Sequence, residues 1–291
     1  MTIDLRDVRY RYAGSPRPAL DGIDLVLGRG EVVGVVGANE AGKSTLCLVA
    51  SGLAPATIGG RLEGTVTIDD LATARARPFE LAQRCGVLFQ NPVTQMSGTA
   101  STVWEEVAFG PRNLGLPLDV IIERVEAALR ALGIADLAER EPQRISGGQA
   151  QLVALAGVVA MRPVYLILDE PTSQLDPAGT HLVAAAIAEL IAETEAGVLI
   201  VEHKTDLLAA VADRVIVLAG GSIAMAGPTA VVLADRRLED WGVEAPSRVR
   251  LERAAAVAGV TLPAAATGPP ADRPGRTGRP GQLGHPGASA P

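Results

Sequence analysis

Short apolar runs alternate with longer helical patterns along most of the chain. The runs have the length and the Val, Ile and Leu content of buried strands, and they cover residues 23–27, 31–36, 66–68, 87–89, 164–168, 198–201 and 215–218. Strands that alternate with helices are typical of a layered fold in which the helices cover a sheet. The pattern therefore predicts an α/β fold with a largely parallel central sheet.

Residues 91–161 depart from this alternation, because they contain no convincing strand and two clear helical patterns. The first starts near Asp119 and stops at Gly133, and apolar residues recur along it at Ile121, Ile122, Val125, Ala128, Leu129 and Leu132. The second begins at Ser146, a residue type that caps helices, and runs to Pro163. We expect a helical subdomain at about residues 91–161, inserted in the α/β core.

Two segments of different character follow the α/β region. Residues 241–263 carry a helical pattern that starts at Pro246 and would form a short C-terminal extension. Pro, Gly and Ala dominate residues 264–291, where no apolar periodicity is present. Such a composition cannot bury enough apolar area to offset its ordering entropy, so this segment is predicted to be a disordered tail.

Composition and charge narrow the classes of function. Hydrophobic residues make up 48% of the chain, but uncharged apolar runs such as 152–161 are shorter than the roughly 18 residues that span a bilayer. The N-terminus has no apolar signal segment, which predicts a soluble cytoplasmic protein. A net charge of −7 argues against a nucleic-acid partner. Cys47 and Cys85 have no nearby His or Cys at ligand spacing, so we expect reduced, buried thiols and no metal site there.

A phosphate-binding loop follows the second predicted strand. Eight residues match the pattern G-x-x-x-x-G-K-[ST], namely Gly37, Ala38, Asn39, Glu40, Ala41, Gly42, Lys43 and Ser44. Thr45 follows directly and belongs to the same predicted loop. Their amides and the following helix would cradle a polyphosphate, Lys43 would add a positive charge, and the Ser44 hydroxyl could ligate Mg²⁺. The strand before the motif and the helix after it disfavour the alternative, a glycine-rich turn with a surface lysine.

A second apolar strand, residues 164–168, delivers two acids at its end. Asp169 suits a contact to Mg²⁺, and Glu170 suits the polarisation of an attacking water. Together with the phosphate loop, these acids would also fit nucleotide kinases, G proteins and recombinase-like ATPases. The two motifs alone thus indicate a superfamily of nucleotide hydrolases.

A third motif, Ser146-Gly147-Gly148-Gln149, opens a helix about twenty residues before Asp169 and resembles the signature sequence of ABC ATPases. The resemblance covers roughly residues 2–263. It implies a P-loop NTPase core of ABC ATPase type, with an inserted helical subdomain and a small antiparallel β region on the N-terminal side. Residues 1–240 would be the cassette, which binds and hydrolyses ATP with Mg²⁺.

Other residues resemble landmarks of that family, in the family's order. Gln90 resembles the glutamine that touches Mg²⁺ and senses the membrane subunit, and Asp176 ends a segment similar to the one that crosses the dimer interface. His203 resembles the switch histidine that contacts the γ-phosphate, beside Glu170 as the catalytic base. Tyr12 resembles the aromatic residue on which adenine stacks, although Tyr10 competes for this role.

The same resemblance implies a dimeric mechanism. The loop at residues 37–45 of one subunit would bind ATP, and the segment at residues 146–149 of the other would cover it. Hydrolysis at Glu170 would then let the pair open.

Further segments resemble the ATPases of energy-coupling factor (ECF) importers, namely residues 88–95, 102–111, 113–117, 160–163 and 241–263. The partners implied are a second ABC ATPase subunit, identical or homologous, a transmembrane coupling subunit and a substrate-binding membrane subunit. The chain would lie at the cytoplasmic face of the cell membrane, and the cargo would be a vitamin or a cobalt or nickel ion. The alternatives are the ATPase of an ABC exporter and, less close, a non-transport ABC ATPase.

Four residues depart from the family pattern. Glu40 stands where the loop usually has Gly, Ile145 replaces Leu before the signature, and Ala150 and Leu152 replace basic residues after it. A heterodimer with one weaker site is therefore an alternative to a symmetric dimer. We hypothesise that Glu40 weakens ATP binding, through strain if its φ is positive and through repulsion of the phosphates.

Overall fold

The structure is a computed structural model that describes residues 1–260. The part of the chain it describes forms ten strands in two sheets, together with nine α-helices. The strands are β1 (Thr2–Arg11), β2 (Leu20–Gly28), β3 (Val32–Val36), β4 (Arg61–Ile68), β5 (Leu71–Ala72), β6 (Cys85–Leu88), β7 (Tyr165–Asp169), β8 (Gly197–Val201), β9 (Arg214–Ala219) and β10 (Ser222–Pro228). The helices are α1 (Lys43–Ala50), α2 (Pro78–Ala82), α3 (Val103–Asn113), α4 (Leu118–Ala131), α5 (Gly147–Ala160), α6 (Pro177–Thr194), α7 (Thr205–Val211), α8 (Thr229–Leu233) and α9 (Ser247–Ala258).

The central sheet has six strands in the order β10-β9-β3-β8-β7-β6. Its strands pair in parallel except for β10, which runs antiparallel to β9 at the edge. All residues of β3, β7 and β8 are buried, as expected for parallel strands covered on both faces. The prediction of an α/β fold with a largely parallel sheet is confirmed, and the antiparallel edge strand was missed.

The order of the parallel strands decides where the site lies. The carboxyl ends of β3, β8, β7 and β6 meet at one edge, because neighbouring parallel strands finish on the same side of a sheet. The phosphate loop follows β3, the acid pair lies at the end of β7, and His203 and Gln90 come two residues after β8 and β6. Motifs that are far apart in the sequence are thereby brought to one edge.

An antiparallel sheet, in the order β2-β1-β4-β5, lies over the face of the central sheet that α1 also covers. Its presence confirms the predicted small antiparallel region. The strand β1 was not predicted, although it is ten residues long. Its alternation of buried and exposed residues slips at Arg6 and Asp7, where the pairing is irregular and Asp7 has φ of 44°. A bulge of this kind hides the period of two from a sequence pattern.

Three α-helices, α3, α4 and α5, occupy residues 91–161, where two were predicted. The two expected helices are confirmed, and Ser146 caps α5 as predicted. The sequence pattern missed α3 because Gly110 and Pro111 lie inside it and are poor helix formers. Thr102 caps this helix, and a Cβ on Gly110 would lie 2.8 Å from the Met161 side chain, so a larger residue at this position would force that side chain to shift. The division into a separate subdomain stays a prediction.

The C-terminal extension contains α9, which begins where the pattern after Pro246 indicated. The carboxylate of Asp206 in α7 accepts hydrogen bonds from the backbone N (2.8 Å) and hydroxyl (2.7 Å) of Ser247. These bonds fasten the extension next to the segment that carries His203. The predicted tail at residues 264–291 lies outside the described residues, as do the last residues of the predicted extension.

Two further observations concern the predictions from composition. Cys47 and Cys85 are buried free thiols, as expected, and burial raises the pKa of both, that of Cys85 to about 12. None of the helices within residues 1–260 combines the length and the hydropathy that a membrane span needs.

Candidate active site

The phosphate loop connects β3 to α1 through two positions that require glycine. Gly37 has φ of 156° and Gly42 has φ of 102°, and a Cβ at either would lie 2.3 Å or 2.6 Å from a backbone carbonyl oxygen. Within the described part of the chain, no side chain caps the start of α1, where Gly42 is the N-cap. The amides of this first turn are therefore directed at the space where a phosphate would lie.

Lys43 lies buried beneath the loop, with 6% of its surface exposed. Its Nζ donates to the carbonyl oxygens of Gly37 (2.9 Å) and Ala38 (2.8 Å). Burial lowers the pKa of Lys43, while the charges of Glu170 and Asp169 oppose the shift. The ammonium group is thus placed inside the loop, close to both acids.

Asp169, at the end of β7, is a buried carboxylate with an unused oxygen. Its Oδ1 has no hydrogen-bond partner among the described residues, and the Ser44 side chain lies close enough to influence its pKa. Burial raises the pKa of Asp169, against the lowering effects of Ser44 and Lys43. A desolvated carboxylate oxygen beside a serine hydroxyl is a suitable ligand set for a hard cation such as Mg²⁺.

The side chain of Glu170 contacts two other predicted site residues, Gln90 and His203. Its Oε2 accepts a hydrogen bond from Nε2 of Gln90 (3.0 Å), and its Oε1 lies 3.1 Å from Nε2 of His203. The backbone of Glu170 has φ of 52°, and its N–H donates to the carbonyl of Val201 (2.9 Å). Both carboxylate oxygens are held, so the side chain faces the loop in a defined orientation.

The two candidate tyrosines differ in their surroundings. Tyr10 is fully buried, and its hydroxyl donates to the carbonyl oxygen of Gly59. Tyr12 packs against the edge of Tyr10, with ring centroids 5.0 Å apart, and its hydroxyl lies 3.1 Å from Oγ1 of Thr45. The structure places Tyr12 beside the loop, whereas Tyr10 belongs to the core. Adenine stacking on Tyr12 stays a prediction.

A cavity of about 470 Å³ joins these parts. Its lining includes Tyr12, residues 39–40 and 42–45 of the loop, Gln90, Glu170 and His203. The exposed side chain of Glu40 borders this cavity. Its φ of 63° is positive, which is the condition under which strain was expected at this position. Most of the predicted site residues therefore surround one space.

The signature residues lie outside this cavity. Ser146 and Gln149 form a reciprocal capping box at the start of α5, with bonds of 3.0 and 3.3 Å. A Cβ on Gly147 would lie 2.4 Å from Oε1 of Gln174, so this glycine permits close contact with residues 173–176. Asp176 caps α6 through the N–H of Gly179 (2.7 Å). The chain by itself does not bring residues 146–149 or Asp176 to the loop.

Two buried polar residues next to the site were missed by the sequence analysis. Gln151, fully buried in α5, donates from Nε2 to the carbonyl oxygen of Glu170 (3.4 Å). Glu202, 1% exposed, accepts four hydrogen bonds and directly precedes His203. An amide inside an apolar helix, and an acid that extends a fully apolar strand, are the signals that could have revealed them.

Comparison with known proteins identifies the family. Residues 20–173 match the sequence profile of the family described as ABC transporter. The chain belongs to this family. It is one of the family's ATP-binding subunits, which hydrolyse ATP.

Similar proteins extend the likeness over most of the chain. It is 41% identical over 253 residues to the energy-coupling factor transporter ATP-binding protein EcfA1 of Symbiobacterium thermophilum, a match covering 86% of this chain and 85% of that one. It is 40% identical over 240 residues to the cobalt import ATP-binding protein CbiO of Syntrophus aciditrophicus, covering 82% and 81%. The solved structure of cbiO1 from Clostridium perfringens, part of the ABC transporter complex cbiONQ, superposes with a TM-score of 0.72. It is 30% identical, and the superposition covers 89% of this chain and 98% of that one.

Proposed function

We propose that this ABC ATPase powers an ECF-type importer of a micronutrient, either a vitamin or a cobalt or nickel ion. The observation that carries the proposal is identity of about 40%, over most of both chains, to proteins named as ECF transporter and cobalt import ATPases. No feature of the described residues favours an exporter. The cargo would be selected by another subunit.

The geometry supports a specific assignment of roles in ATP hydrolysis. The amides of the loop at residues 37–45 and the ammonium group of Lys43 would hold the phosphates. Glu170 would polarise the attacking water, because its carboxylate faces the loop and is held between Gln90 and His203. His203 would contact the γ-phosphate, and the ring of Tyr12 would stack on the adenine of ATP.

The residues present fit a magnesium ion. Asp169 offers a buried oxygen that has no partner among residues 1–260, Ser44 lies beside it, and Ser44 and Gln90 both line the cavity. These three residues would hold Mg²⁺, which neutralises phosphate charge when it is bound. Asp169 is held ready for this role by its place at the end of the buried strand β7.

A second ABC ATPase subunit, identical or homologous, would complete the site. Residues 146–149 and Asp176 do not line the cavity of their own chain, although they lie together at one end of α5 and α6. In a dimer, the segment at residues 146–149 would cover the ATP that the partner's loop binds. This arrangement makes ATP the link between the two subunits.

An apolar groove beside Gln90 is suited to a membrane partner. Its volume is about 250 Å³, and its lining includes Leu53, Cys85, Phe89 and Met161. Gln95 fixes the wall of the groove, since its side chain bonds to the backbone of Phe89 and of Val87 at 2.9 Å each. We propose that a helix of the transmembrane coupling subunit occupies the groove, which would hold the chain at the cytoplasmic face of the membrane and let Gln90 report its presence to Glu170.

Purification of the full chain from its native membranes, followed by mass spectrometry, tests the proposed function. An ECF importer predicts two kinds of membrane protein in the complex, a polytopic coupling protein and a small substrate-binding protein. The Phe89→Ser variant should lose both. The matched control Phe79→Ser, at an exposed phenylalanine that does not line the groove, should keep them. A complex that contains only a polytopic protein with its own substrate pathway would contradict the proposal and favour an exporter.

A further inference from the structure

Glu202 connects the segment that carries His203 to the segment that follows Glu170. It directly follows β8, and its backbone N–H donates to the carbonyl of Val35 (3.1 Å) in the strand that leads to the phosphate loop. The side chain is almost completely buried. A carboxylate in such a position must be satisfied by hydrogen bonds, because an uncompensated buried charge is strongly destabilising.

The two carboxylate oxygens of Glu202 serve two different segments. Oε1 accepts from the backbone N (3.0 Å) and the hydroxyl (2.6 Å) of Thr172. Oε2 accepts from the backbone N of His203 (3.0 Å) and of Lys204 (3.1 Å). Only a carboxylate side chain can accept at both ends, since the amide of a glutamine has one accepting oxygen and one donating nitrogen.

Lys204 fastens the same two segments from the other direction. Its Nζ donates to the carbonyl oxygens of Thr172 and Leu175, at 2.8 Å each. Glu202 therefore accepts hydrogen bonds from the N–H and hydroxyl groups of Thr172, while Lys204 donates to the carbonyl oxygens of Thr172 and Leu175. We call the side chains of Glu202, Lys204 and Thr172 the polar clamp.

The clamped segment, residues 172–175, lies between two functional parts of the chain. Glu170 precedes it, and Gln174 within it contacts Gly147 of the signature region. We propose that Glu202 is a positioning residue for ATP hydrolysis, which through the polar clamp makes the His203 backbone and residues 172–175 move as one body. The imidazole of His203 would then reach Glu170 only when residues 172–175 are in place.

A simpler role for Glu202 would be to order the turn that leads into α7. That role accounts for the bonds to the N–H groups of His203 and Lys204, which precede the helix, but a short neutral side chain could accept those without burying a charge. It leaves the two bonds to Thr172 unexplained. This simpler role also does not explain why a second acid is kept near Asp169. The negative charge of Glu202 is one of the causes that raise the pKa of Asp169.

The main test is Glu202→Gln, because this change keeps the shape of the side chain. The glutamine oxygen can still accept from Thr172, while its NH₂ group would face the N–H donors of His203 and Lys204. We expect kcat to fall on the order of tenfold, since a small misplacement of a reacting group has effects of this size or larger. The affinity for Mg-ATP, measured in a Glu170→Gln background to prevent turnover, should change less than twofold.

A spectroscopic measurement separates positioning from stabilisation. The chain has three histidines, so the ring signals of His203 can be assigned by NMR with a His203→Ala variant. Glu202→Gln should shift these signals, because the ring would leave Glu170. The matched control is Glu244→Gln, at an exposed acid that borders a cavity with Glu202 and His203 but pairs with Arg250. It should leave both kcat and the His203 signals unchanged.

Lys204→Met provides a second variant should Glu202→Gln not fold, since the lysine side chain is exposed. We expect about a threefold fall in kcat and a shift of the His203 signals in the same direction. In a His203→Ala background, neither change should lower the residual rate further. An additive fall in that background, or unchanged His203 signals in both variants, would overturn the inference.

The inference rests on the proposed roles of Glu170 and His203, and the two can fail separately. If Glu170→Gln and His203→Ala hydrolyse ATP at the wild-type rate, the proposed site is wrong. If both are impaired while Glu202→Gln and Lys204→Met keep full kcat, the proposed site stands and the polar clamp has no part in it.

Discussion

Replacement of Glu40 by glycine tests how the phosphate loop tolerates an acid. Glu40 borders the cavity with an exposed side chain, and its φ of 63° is one that non-glycine residues rarely adopt. Two effects can be separated, backbone strain of about 1 kcal/mol and repulsion between the carboxylate and the phosphates. We expect only the second to change the affinity for ATP.

The strain belongs to folding and not to binding. The loop is fastened to the rest of the protein, for example by a hydrogen bond from the N–H of Gly221 to the carbonyl of Ala41 (3.1 Å). A φ held by such contacts is the same before and after ATP binds, so its cost cancels from the dissociation constant. For the free energy of unfolding, the relief of strain in Glu40→Gly is offset by a cost of about 0.5–1 kcal/mol, because glycine makes the unfolded chain more flexible. The melting temperature should therefore change little.

The repulsion can be estimated from Coulomb's law. In water, two unit charges about 7 Å apart interact with about 0.6 kcal/mol, and physiological salt roughly halves this value. For the roughly two net negative charges of Mg-ATP, the repulsion is about 0.6 kcal/mol, or about threefold in Kd. Glu40→Gly should bind ATP about threefold more tightly at physiological salt and up to about eightfold more tightly at low salt, and the gain should fade at high salt.

Nucleotide titration in a Glu170→Gln background, at low and high salt, measures this effect. Glu40→Gln is the matched control, because it removes the charge and keeps the backbone restriction. It should show the same gain in affinity as Glu40→Gly. Equal ATP affinities of the parent protein, Glu40→Gly and Glu40→Gln at both salt concentrations would refute the argument. A gain in affinity that only Glu40→Gly shows, and that persists at high salt, would mean that backbone strain affects binding.

Three further predictions concern other parts of the chain. Glu170→Gln should dimerise with Mg-ATP in light scattering, because loss of the base spares binding and stops hydrolysis; turnover at the wild-type rate would rule out this base. Burial raises the folded-state pKa of Asp169 above 3.8, so the contribution of this group to stability is lost as pH rises from 3.8 through that pKa and stays lost above it. Asp169→Asn should thus gain stability over wild type across this window in urea unfolding at a series of pH values, and a difference independent of pH would contradict the shift. Removal of residues 264–291 should leave the melting temperature and ATP binding intact, and a large drop in either would argue against a dispensable tail.

Local motifs carried most of what could be predicted from the sequence. The loop at residues 37–45 and the capping residue Ser146 were recognised because their chemistry depends on neighbours within a few positions. The buried strands β3, β7 and β8 were recognised because an unbroken run of apolar residues is typical of a central parallel strand. Among the elements missed, β1, β10 and α3 are those in which a bulge, an edge position or an internal Gly-Pro pair breaks the local pattern.

Only the tertiary structure decided which side chains touch. The motifs follow strands that are up to about 165 residues apart in the sequence, and the strand order β3-β8-β7-β6 brings Gln90, Glu170 and His203 together. The same packing buried Tyr10 and left Tyr12 at the cavity, and it gave Glu202 its four donors. A sequence pattern reports the neighbours of a residue along the chain, whereas these contacts depend on the pairing of distant strands, which no local spacing encodes.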